Sequence, residues 1–462
     1  MGADDFSDWY HKILEDAEII DIRFSIKGMP VYRRWGITMV REMQRFLEIL
    51  LEDDGHEPVL FPVLIPEDVM GKESEHIAGF EEQVFWVTHA GGTPLERRMA
   101  LRPTSETSMY DMFSLWIRSH TDLPLKIHQS VAVYRYETKH TRPLIRGREF
   151  LWNEGHTAFA SEEDAEENIK TIIKIYGKLI NELLCLPFQV NRRPDWDKFP
   201  GAVYTLAFET LMPDGRTLQL ATAHNLGQNF SKPFNIAYED AGGEHRLVYQ
   251  TSYGPGFGRL LAAVISVHGD GKGMVLPPKI APVQVVIVPV LFKDKDRKEV
   301  EEYSRSLVDS LKKQGFRVKL DDSDSRPGVK YYHWEMKGVP VRLEAGPREV
   351  KAGKVVAVRR DTGKKELVAL DGLDITSIFK EIEDNLRKKA QKRFDERMFK
   401  AETLDDLKKH VGVGIATAGW CQTDDCAKSI DELGTILMME DKPHTCAVCG
   451  GPGKLIRVAR TY

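Results

Sequence analysis

The stretch Val133-Tyr134-Arg135-Tyr136-Glu137, resumed after a short loop by Arg146-Gly147-Arg148-Glu149-Phe150-Leu151-Trp152-Asn153-Glu154-Gly155-His156, decides how the rest of the chain is read. Its halves fall in strand-like runs at 126–136 and 150–159, which predicts two strands joined by a loop. An arginine, a carboxylate and an aromatic ring on two such strands are what an ATP site needs. Arginine meets the phosphates, the carboxylate accepts from the adenine amino group, and the ring offers its face. Taken alone, Arg135-x-Glu137 reads as readily as a surface ion pair across a hairpin, so the neighbours carry the decision.

Working outward, further strand-like runs at 203–208 and 217–222 outnumber the helices and do not alternate with them. That pattern predicts an antiparallel sheet with flanking helices, an α+β domain. Residues 34–54 read as an amphipathic helix, with Ile37, Val40, Met43, Phe46, Leu47, Leu50 and Leu51 at helical spacing and Gly55 as a stop. The apolar run 58–65 reads as a strand whose Pro62 belongs at a sheet edge or bulge. Ser161 opens a second helix reaching to about 184. Gly269-Asp270-Gly271-Lys272-Gly273 with Pro277-Pro278 reads as a breaker-rich linker. Beyond it, apolar strands at 283–290, 316–320 and 340–344 alternate with helices at 298–314 and 329–337, the grammar of a small, partly parallel α/β domain. A hairpin turns at Asp361-Thr362-Gly363, and a charged helix over 375–399 leads into a cysteine-rich tail. The expected division is 1–276, 282–372 and 373–462.

Composition sets the outer limits. The 462 residues are too many for one ordinary core. A hydrophobic share of 42% beside 29% charged residues is that of a globular cytoplasmic protein. The N-terminus is acidic with no apolar signal region, and no run is long enough to span a membrane. A net charge of −5 argues against a generic nucleic-acid coat, although a local basic stripe can still meet phosphates. Four of the five cysteines crowd into the tail as Cys421-x4-Cys426 and Cys446-x2-Cys449-Gly450-Gly451. Four thiolates at that spacing form a tetrahedral set for a structural Zn²⁺, with no position open for catalysis. Cys185 reads as plain core.

Two more segments bear on the site. Leu101-Arg102-Pro103-Thr104-Ser105-Glu106 sets a hydroxyl and a carboxylate two residues apart, on one side of an extended chain, where they suit a substrate ammonium. The same residues also read as a capping box ahead of a helix over 110–117. Thr251-Ser252-Tyr253-Gly254-Pro255-Gly256-Phe257-Gly258-Arg259, followed by an apolar run, lets backbone approach a nucleotide and puts an arginine at a helix start.

In this order and spacing, the segments resemble class II aminoacyl-tRNA synthetases, and among them the prolyl-tRNA synthetase family of the archaeal and eukaryote-like type. The resemblance runs from about Tyr32 to Tyr462. Residues 34–66 resemble motif 1, which in the family lies at a homodimer interface. Arg135 to Phe150 resemble motif 2, and the stretch ending at Arg259 resembles motif 3. Gln219-Leu220-Ala221-Thr222-Ala223-His224 matches a further active-site strand. The family usually carries Trp where this chain has Tyr253, followed by small or hydroxylated residues, so the pairing of hydroxyl contacts in this turn is left open, although Arg259 itself is carried over.

The resemblance implies ligation of proline to tRNA(Pro) through an adenylate made from ATP. Arg135 would hold the α-phosphate and the proline carboxylate, Glu137 the adenine amine and Phe150 the ring. Arg146 and Arg259 would meet the γ-phosphate, with Mg²⁺ aided by Gln219, and Thr222 is assigned to the same ATP subsite. Thr104 and Glu106 would receive the secondary ammonium, in a pocket completed by Trp152, Glu154, His156, His224 and Ser252. The 282–372 segment resembles an anticodon-binding domain, in which Glu344 and Arg348 are candidates to read base edges. The basic run 387–393 suits either tRNA phosphates or a solvated helix face. The tail Arg460-Thr461-Tyr462 matches a family C-terminus that folds back to the active site. Only about a hundred residues separate Phe150 from Arg259, too few for the large editing domain of bacterial-type relatives. Slow misactivation of alanine, and of cysteine, is therefore expected, because a missing methylene is worth only roughly 1–3 kcal/mol.

Overall fold

The computed structural model describes residues 3–72, 81–137, 140–291 and 296–462. Thr138 and Lys139, inside the motif 2-like loop, and Met1 and Gly2 at the N-terminus lie outside the described residues. Among the described residues no helix is long and apolar enough to cross a membrane.

The strand-rich reading is realised as a seven-stranded sheet. In chain order its strands are β1 (Glu57–Pro58), β2 (Leu125–Tyr134), β3 (Glu149–Phe159), β4 (Gln189–Arg192), β5 (Tyr204–Leu211), β6 (Thr217–Gly227) and β7 (Tyr249–Pro255). Their spatial order is β1-β2-β3-β7-β6-β5-β4, with only the β1–β2 edge parallel. Sequence neighbours pair as hairpins at β2–β3 and β5–β6, while β7 inserts between them. Of the helices α1 (Arg34–Asp53), α2 (Glu162–Gly177) and α3 (Phe257–His268), the last two pack on this sheet and α1 packs against both of them. Every residue of α3 except Arg259 is buried, which is why its sequence is apolar all round rather than striped. Helix α1 packs so closely that a Cβ on Gly36 would sit 2.3 Å from the Ile19 carbonyl oxygen.

The apolar run 58–65 departs from its expected form. It splits into β1 and a second short strand, Leu64–Pro66, that belongs to a separate three-stranded sheet. Pro62 lies in the irregular turn between them, where a missing N–H costs no ladder bond. The linker reading of 269–278 also changes, and the residues just beyond it share the change. Met274, Leu276, Ile280 and Ala281 are fully buried, so this segment is part of the core and not a free tether.

Beyond it stands a five-stranded sheet: β8 (Val285–Pro289), β9 (Val318–Leu320), β10 (Val341–Ala345), β11 (Lys354–Arg359) and β12 (Lys365–Ala369), in the order β9-β8-β10-β11-β12. Its first three strands are parallel and the rest antiparallel, as the alternating grammar predicts. Polar clamps join it to the first sheet's helices. Arg360 meets Asp270 through two bonds of 2.7 and 2.8 Å, Trp35 donates to the Lys337 carbonyl at 3.1 Å, and Arg317 pairs with Glu42 at 3.3 Å.

The charged helix stops earlier than its pattern suggests, at Asp395. Met398–Lys400 instead forms a strand parallel to Ile415–Trp420 in a four-stranded C-terminal sheet. Its basic run is partly spent inside the molecule: Arg387 bonds Asp384 and the Asn181 carbonyl, Lys389 the Asp361 carbonyl, and Arg393 the Val267 carbonyl. Cys185 is fully buried in an apolar cluster, and burial pushes its thiol up to about 12.

Candidate active site

Strand register builds the floor of the site. Pairing of β3 with β7, β7 with β6, and β6 with β5 sets His156 opposite Ser252, Ser252 opposite His224, and His224 opposite Thr205. Four polar side chains from segments far apart in the chain thus lie in one row across the sheet. A cavity of about 530 Å³ opens over them. Every residue that the resemblance assigns to the ATP or proline subsites lines this single cavity: Thr104, Glu106, Arg135, Glu137, Arg146, Phe150, Trp152, Glu154, His156, Gln219, Thr222, His224, Ser252 and Arg259.

Arg135 lies just past the end of β2. Its Nε donates to the Pro103 carbonyl at 3.0 Å, and its guanidinium lies 5.3 Å from the Phe150 ring and 5.6 Å from Trp152. Burial lowers the Arg135 pKa, and the charges of Glu106, Glu137 and Glu154 oppose that shift. Arg146 reaches the Glu137 carboxylate at 3.6 Å and donates to the Tyr462 carbonyl at 3.1 Å. Glu137 thus has an ion-pair partner, but it is Arg146 and not Arg135, and the pair lies in the cavity wall rather than on an idle surface. Arg259, third residue of α3, is fixed by the carbonyls of Ile145 (2.9 Å) and Gln219 (3.1 Å). Burial, followed by repulsion from Arg146 and Arg135, depresses its pKa to about 10. Arginines held close enough to repel one another favour a polyanion between them.

The proline-pocket end differs from its expected local form. Thr104 and Glu106 are not on an extended chain, because Glu106 is the first residue of the helix Glu106–Trp116 and Ser105 its N-cap. The capping-box alternative fails too, since Ser105 makes no side-chain cap bond. Thr104 Oγ1 instead donates directly to the Glu106 carboxylate. Glu154 and His156 form a buried pair at 3.1 Å. Burial opposes charge on both, yet the bond to Glu154 and the nearby Glu106 charge leave the His156 pKa raised, while the bonds from His156, Ser105 and Gln129 leave that of Glu154 lowered. His224 goes the other way, depressed to about 3 by burial and by the charges of His156 and Arg135. It is neutral, bonded to Thr205 Oγ1 at 2.9 Å, with the Phe199 ring 4.5 Å away.

Tyr253, where the family usually has Trp, turns away from the cavity floor toward His56, to which its hydroxyl bonds. A Cβ on Gly155 would meet its ring at 2.2 Å, so glycine at 155 is required by that packing.

Sequence reasoning missed Arg193, Thr205, Glu209 and Phe199, all in the cavity wall. Arg193 joins Glu209 (2.8 Å) to the Gln219 side chain (3.0 Å). The available signal was Thr205 and Glu209 at even spacing in an otherwise apolar strand, a pattern that places both on one face. Tyr462 also lines the cavity, its hydroxyl bonded to Asp214 and its ring 4.9 Å from the Arg142 guanidinium. Away from the cavity, Glu344 on β10 accepts from Arg342 at 3.0 Å and Lys365 at 3.4 Å, so its carboxylate is already engaged. Arg348 sits in the short helix Pro347–Lys351.

The four tail cysteines converge, with ligand atoms within 4.8 Å of one another. Cys421 Sγ and Cys449 Sγ are 3.7 Å apart. A tetrahedron with Zn–S bonds of about 2.3 Å has edges of about 3.8 Å, so the set fits zinc.

An antiparallel sheet carrying an arginine-lined cavity, followed by a mixed α/β domain, defines a class II aminoacyl-tRNA synthetase architecture. Consistent with it, residues 85–268 match the tRNA synthetase class II core domain (G, H, P, S and T), and residues 284–376 match the anticodon binding domain. The chain is 47% identical to a proline–tRNA ligase of Methanopyrus kandleri, over 99% of this chain and 96% of that one. It is 48% identical to the Thermococcus kodakarensis proline–tRNA ligase, over 100% and 98%. A solved Giardia lamblia prolyl-tRNA synthetase in complex with prolyl-adenylate superposes with a TM-score of 0.94 at 36% identity, covering 99% of this chain and 98% of that one. The chain belongs to the proline–tRNA ligase family of aminoacyl-tRNA ligases.

Proposed function

We propose that the chain activates proline with ATP and transfers the prolyl group to the 3′ end of tRNA(Pro), with the cavity over β3, β5, β6 and β7 as its active site. One observation carries this: Arg135 stands where the two subsites meet, between the Phe150 ring and the Thr104–Glu106 loop. A bound adenylate has its phosphate at that junction. Arg135 then serves the α-phosphate and the proline carboxylate, neutralising charge as it develops. Glu137 accepts from adenine N6, Phe150 stacks on the ring with Thr222 in the same subsite, and Arg146 and Arg259 hold the γ-phosphate. Thr104 and Glu106 take the ammonium, while Trp152, Glu154, His156, His224 and Ser252 enclose the pyrrolidine ring.

The proline carboxylate attacks the α-phosphorus in line and pyrophosphate leaves, so no protein base is needed. The terminal tRNA hydroxyl then attacks the adenylate carbonyl and releases AMP. A Mg²⁺ bound with the triphosphate would neutralise charge on its oxygens, with Gln219 as the residue to help hold it. Gln219 Oε1 accepts once from Arg193 and keeps a second lone pair for the ion. Cys421, Cys426, Cys446 and Cys449 hold a structural Zn²⁺.

Residues 1–276 act as the catalytic part, 282–372 as the anticodon-binding part with Glu344 and Arg348 facing bases, and 373–462 as the zinc-bearing part. For Glu344 this requires exchanging Arg342 or Lys365 for a base edge. The working form is a homodimer: Leu60 is 80% exposed beside partly exposed Val63 and Leu64, apolar area that a second copy would remove from water. No editing domain is inserted between Phe150 and Arg259.

The deciding experiment is ATP–pyrophosphate exchange with each of the twenty amino acids, followed by charging of total tRNA. Exchange strongest with proline, weaker with alanine, and charging of tRNA(Pro) alone are expected. Exchange with another amino acid only, or none at all, overturns the reading.

A further inference from the structure

The cavity holds two carboxylates at its proline end, Glu106 and Glu154, whose oxygens lie within 4.8 Å of each other and of His156. Both are almost fully buried, so a substrate ammonium meets two competing acceptors. The network beneath them separates their roles. Glu154 accepts four bonds: from the Ser105 amide (3.1 Å), the Ser105 hydroxyl (2.6 Å), the Gln129 side-chain amide (2.7 Å) and His156 (3.1 Å). Glu106 receives only the Thr104 hydroxyl among the bonds of the described residues.

Gln129 is the part of this network that no reading of the motifs reaches. It lies on β2 directly opposite Glu154 on β3, 2% exposed and outside the cavity lining. Its Nε2 donates to both Glu154 and the Ser105 hydroxyl (3.0 Å), and its Oε1 accepts the Phe61 amide at 3.0 Å. Three buried groups thus depend on one amide side chain. Ser105 stands between Thr104 and Glu106, and its hydroxyl is turned from the usual helix-capping role to reach Glu154.

We propose that Gln129 and Ser105 are positioning residues for the substrate ammonium: they saturate Glu154 and pin the backbone at 105, leaving Glu106 as the acceptor that faces proline. The inference rests on the proposed function and adds to it two residues that touch neither substrate. Each bond into Glu154 is charge-assisted, the class whose loss costs most when the partner stays buried. With Gln129 gone, Glu154 keeps an unmatched lone pair and competes with Glu106 for the ammonium.

The test uses the full chain with Gln129→Leu, Ser105→Ala and the double variant. ATP–pyrophosphate exchange is titrated in proline at saturating ATP, then in ATP at saturating proline. The KM for proline is expected to rise on the order of tenfold to a hundredfold in Gln129→Leu and less in Ser105→Ala, with the KM for ATP within about twofold of the parent. Because both residues act on one carboxylate, the double variant should lose less than the product of the single effects. A KM for proline unchanged in both single variants, equal rises for proline and ATP, or a fully multiplicative double variant each overturn the proposal. Should Gln129→Leu not fold, Ser105→Ala carries the same comparison. A parent chain without proline-dependent exchange removes the functional reading and this proposal with it. A parent that exchanges while its variants keep the same proline KM removes this proposal alone.

Discussion

Replacing Arg135 by alanine should abolish adenylate formation while leaving the chain folded. The side chain is held from one side by the Pro103 carbonyl at 3.0 Å and lies near the Phe150 and Trp152 rings. Its removal deletes a buried cation that faces Glu106, Glu137 and Glu154, and leaves Arg146 and Arg259 to meet the triphosphate without it. Loss of one preorganised donor at a developing charge costs about 3–4 kcal/mol, or roughly 10²–10³ in rate. Arg135 is assigned two such contacts, the α-phosphate and the carboxylate, so a loss of about 10⁴ or more is expected even with incomplete additivity. Arg135→Lys keeps the charge but loses the planar fork, and should fall between the two. The folded state loses the hydrogen bond to Pro103, about 1 kcal/mol, together with the contacts to the Phe150 and Trp152 rings, and thermal unfolding should shift by several degrees without loss of the fold. Pyrophosphate exchange at saturating proline and ATP is the assay. An Arg135→Ala chain that unfolds like the parent and exchanges within about tenfold of it would refute the assignment.

Four further outcomes are expected. Cys446→Ser should abolish stoichiometric zinc binding, read by elemental analysis, and lower the unfolding temperature of the C-terminal sheet; retention of one zinc per chain contradicts the four-thiolate site. Alanine should support measurable pyrophosphate exchange, weaker than proline by roughly 1–3 kcal/mol per missing methylene; undetectable exchange at high alanine means that the pocket itself excludes alanine and refutes the expected misactivation. Leu60→Glu should move the mass in sedimentation equilibrium from dimer toward monomer, and a dimer of unchanged strength places the interface elsewhere. Finally, His268 is buried, bonded to the Leu184 carbonyl at 2.9 Å, and depressed by burial to about 4. Its folded pKa lies below the ordinary value of about 6.5, so the unfolded chain takes the proton first and stability falls as pH drops through that interval. His268→Gln should remove up to about 1.4 kcal/mol per pH unit from the slope between pH ~6.5 and ~4. An unaltered slope in pH-dependent urea unfolding means that His268 is not the titrating group.

Local pattern carried most of the element assignment, because it depends on neighbours a few residues apart. The apolar spacing in 34–53 and the apolar run in 260–267, interrupted only by Ser266, mark helices whatever surrounds them. Alternating strands and helices after 282 mark a mixed sheet in the same way. Such reasoning failed where a residue's partner is distant. The run 58–65 contains no signal that its two ends join different sheets, and the glycines and prolines of 269–278 do not reveal that Met274 and Leu276 enter the core. The helix at 375 ends at Asp395 because Met398 finds Ile415 to pair with, a contact 17 positions away.

The site divides along the same line. Residue types and their spacing, read with the family resemblance, were enough to propose Arg135, Glu137, Arg146, Phe150 and Arg259 for one ATP site and the four tail cysteines for one metal set; the structure brings the first five to one cavity and the four sulfurs together. They also selected Thr104, Glu106 and His156 for proline. Tertiary structure alone decided that His156, Ser252, His224 and Thr205 form one row, because that follows from the pairing order of four strands and not from any one of them. It likewise turned Thr104 and Glu106 into a helix N-terminus and recruited Arg193, Glu209 and Gln129. A buried polar side chain is stable only where its partners are, and those partners come from strands that the chain's order keeps apart. Chemistry is therefore written along the chain, whereas the choice of which carboxylate faces the substrate is made across the sheet.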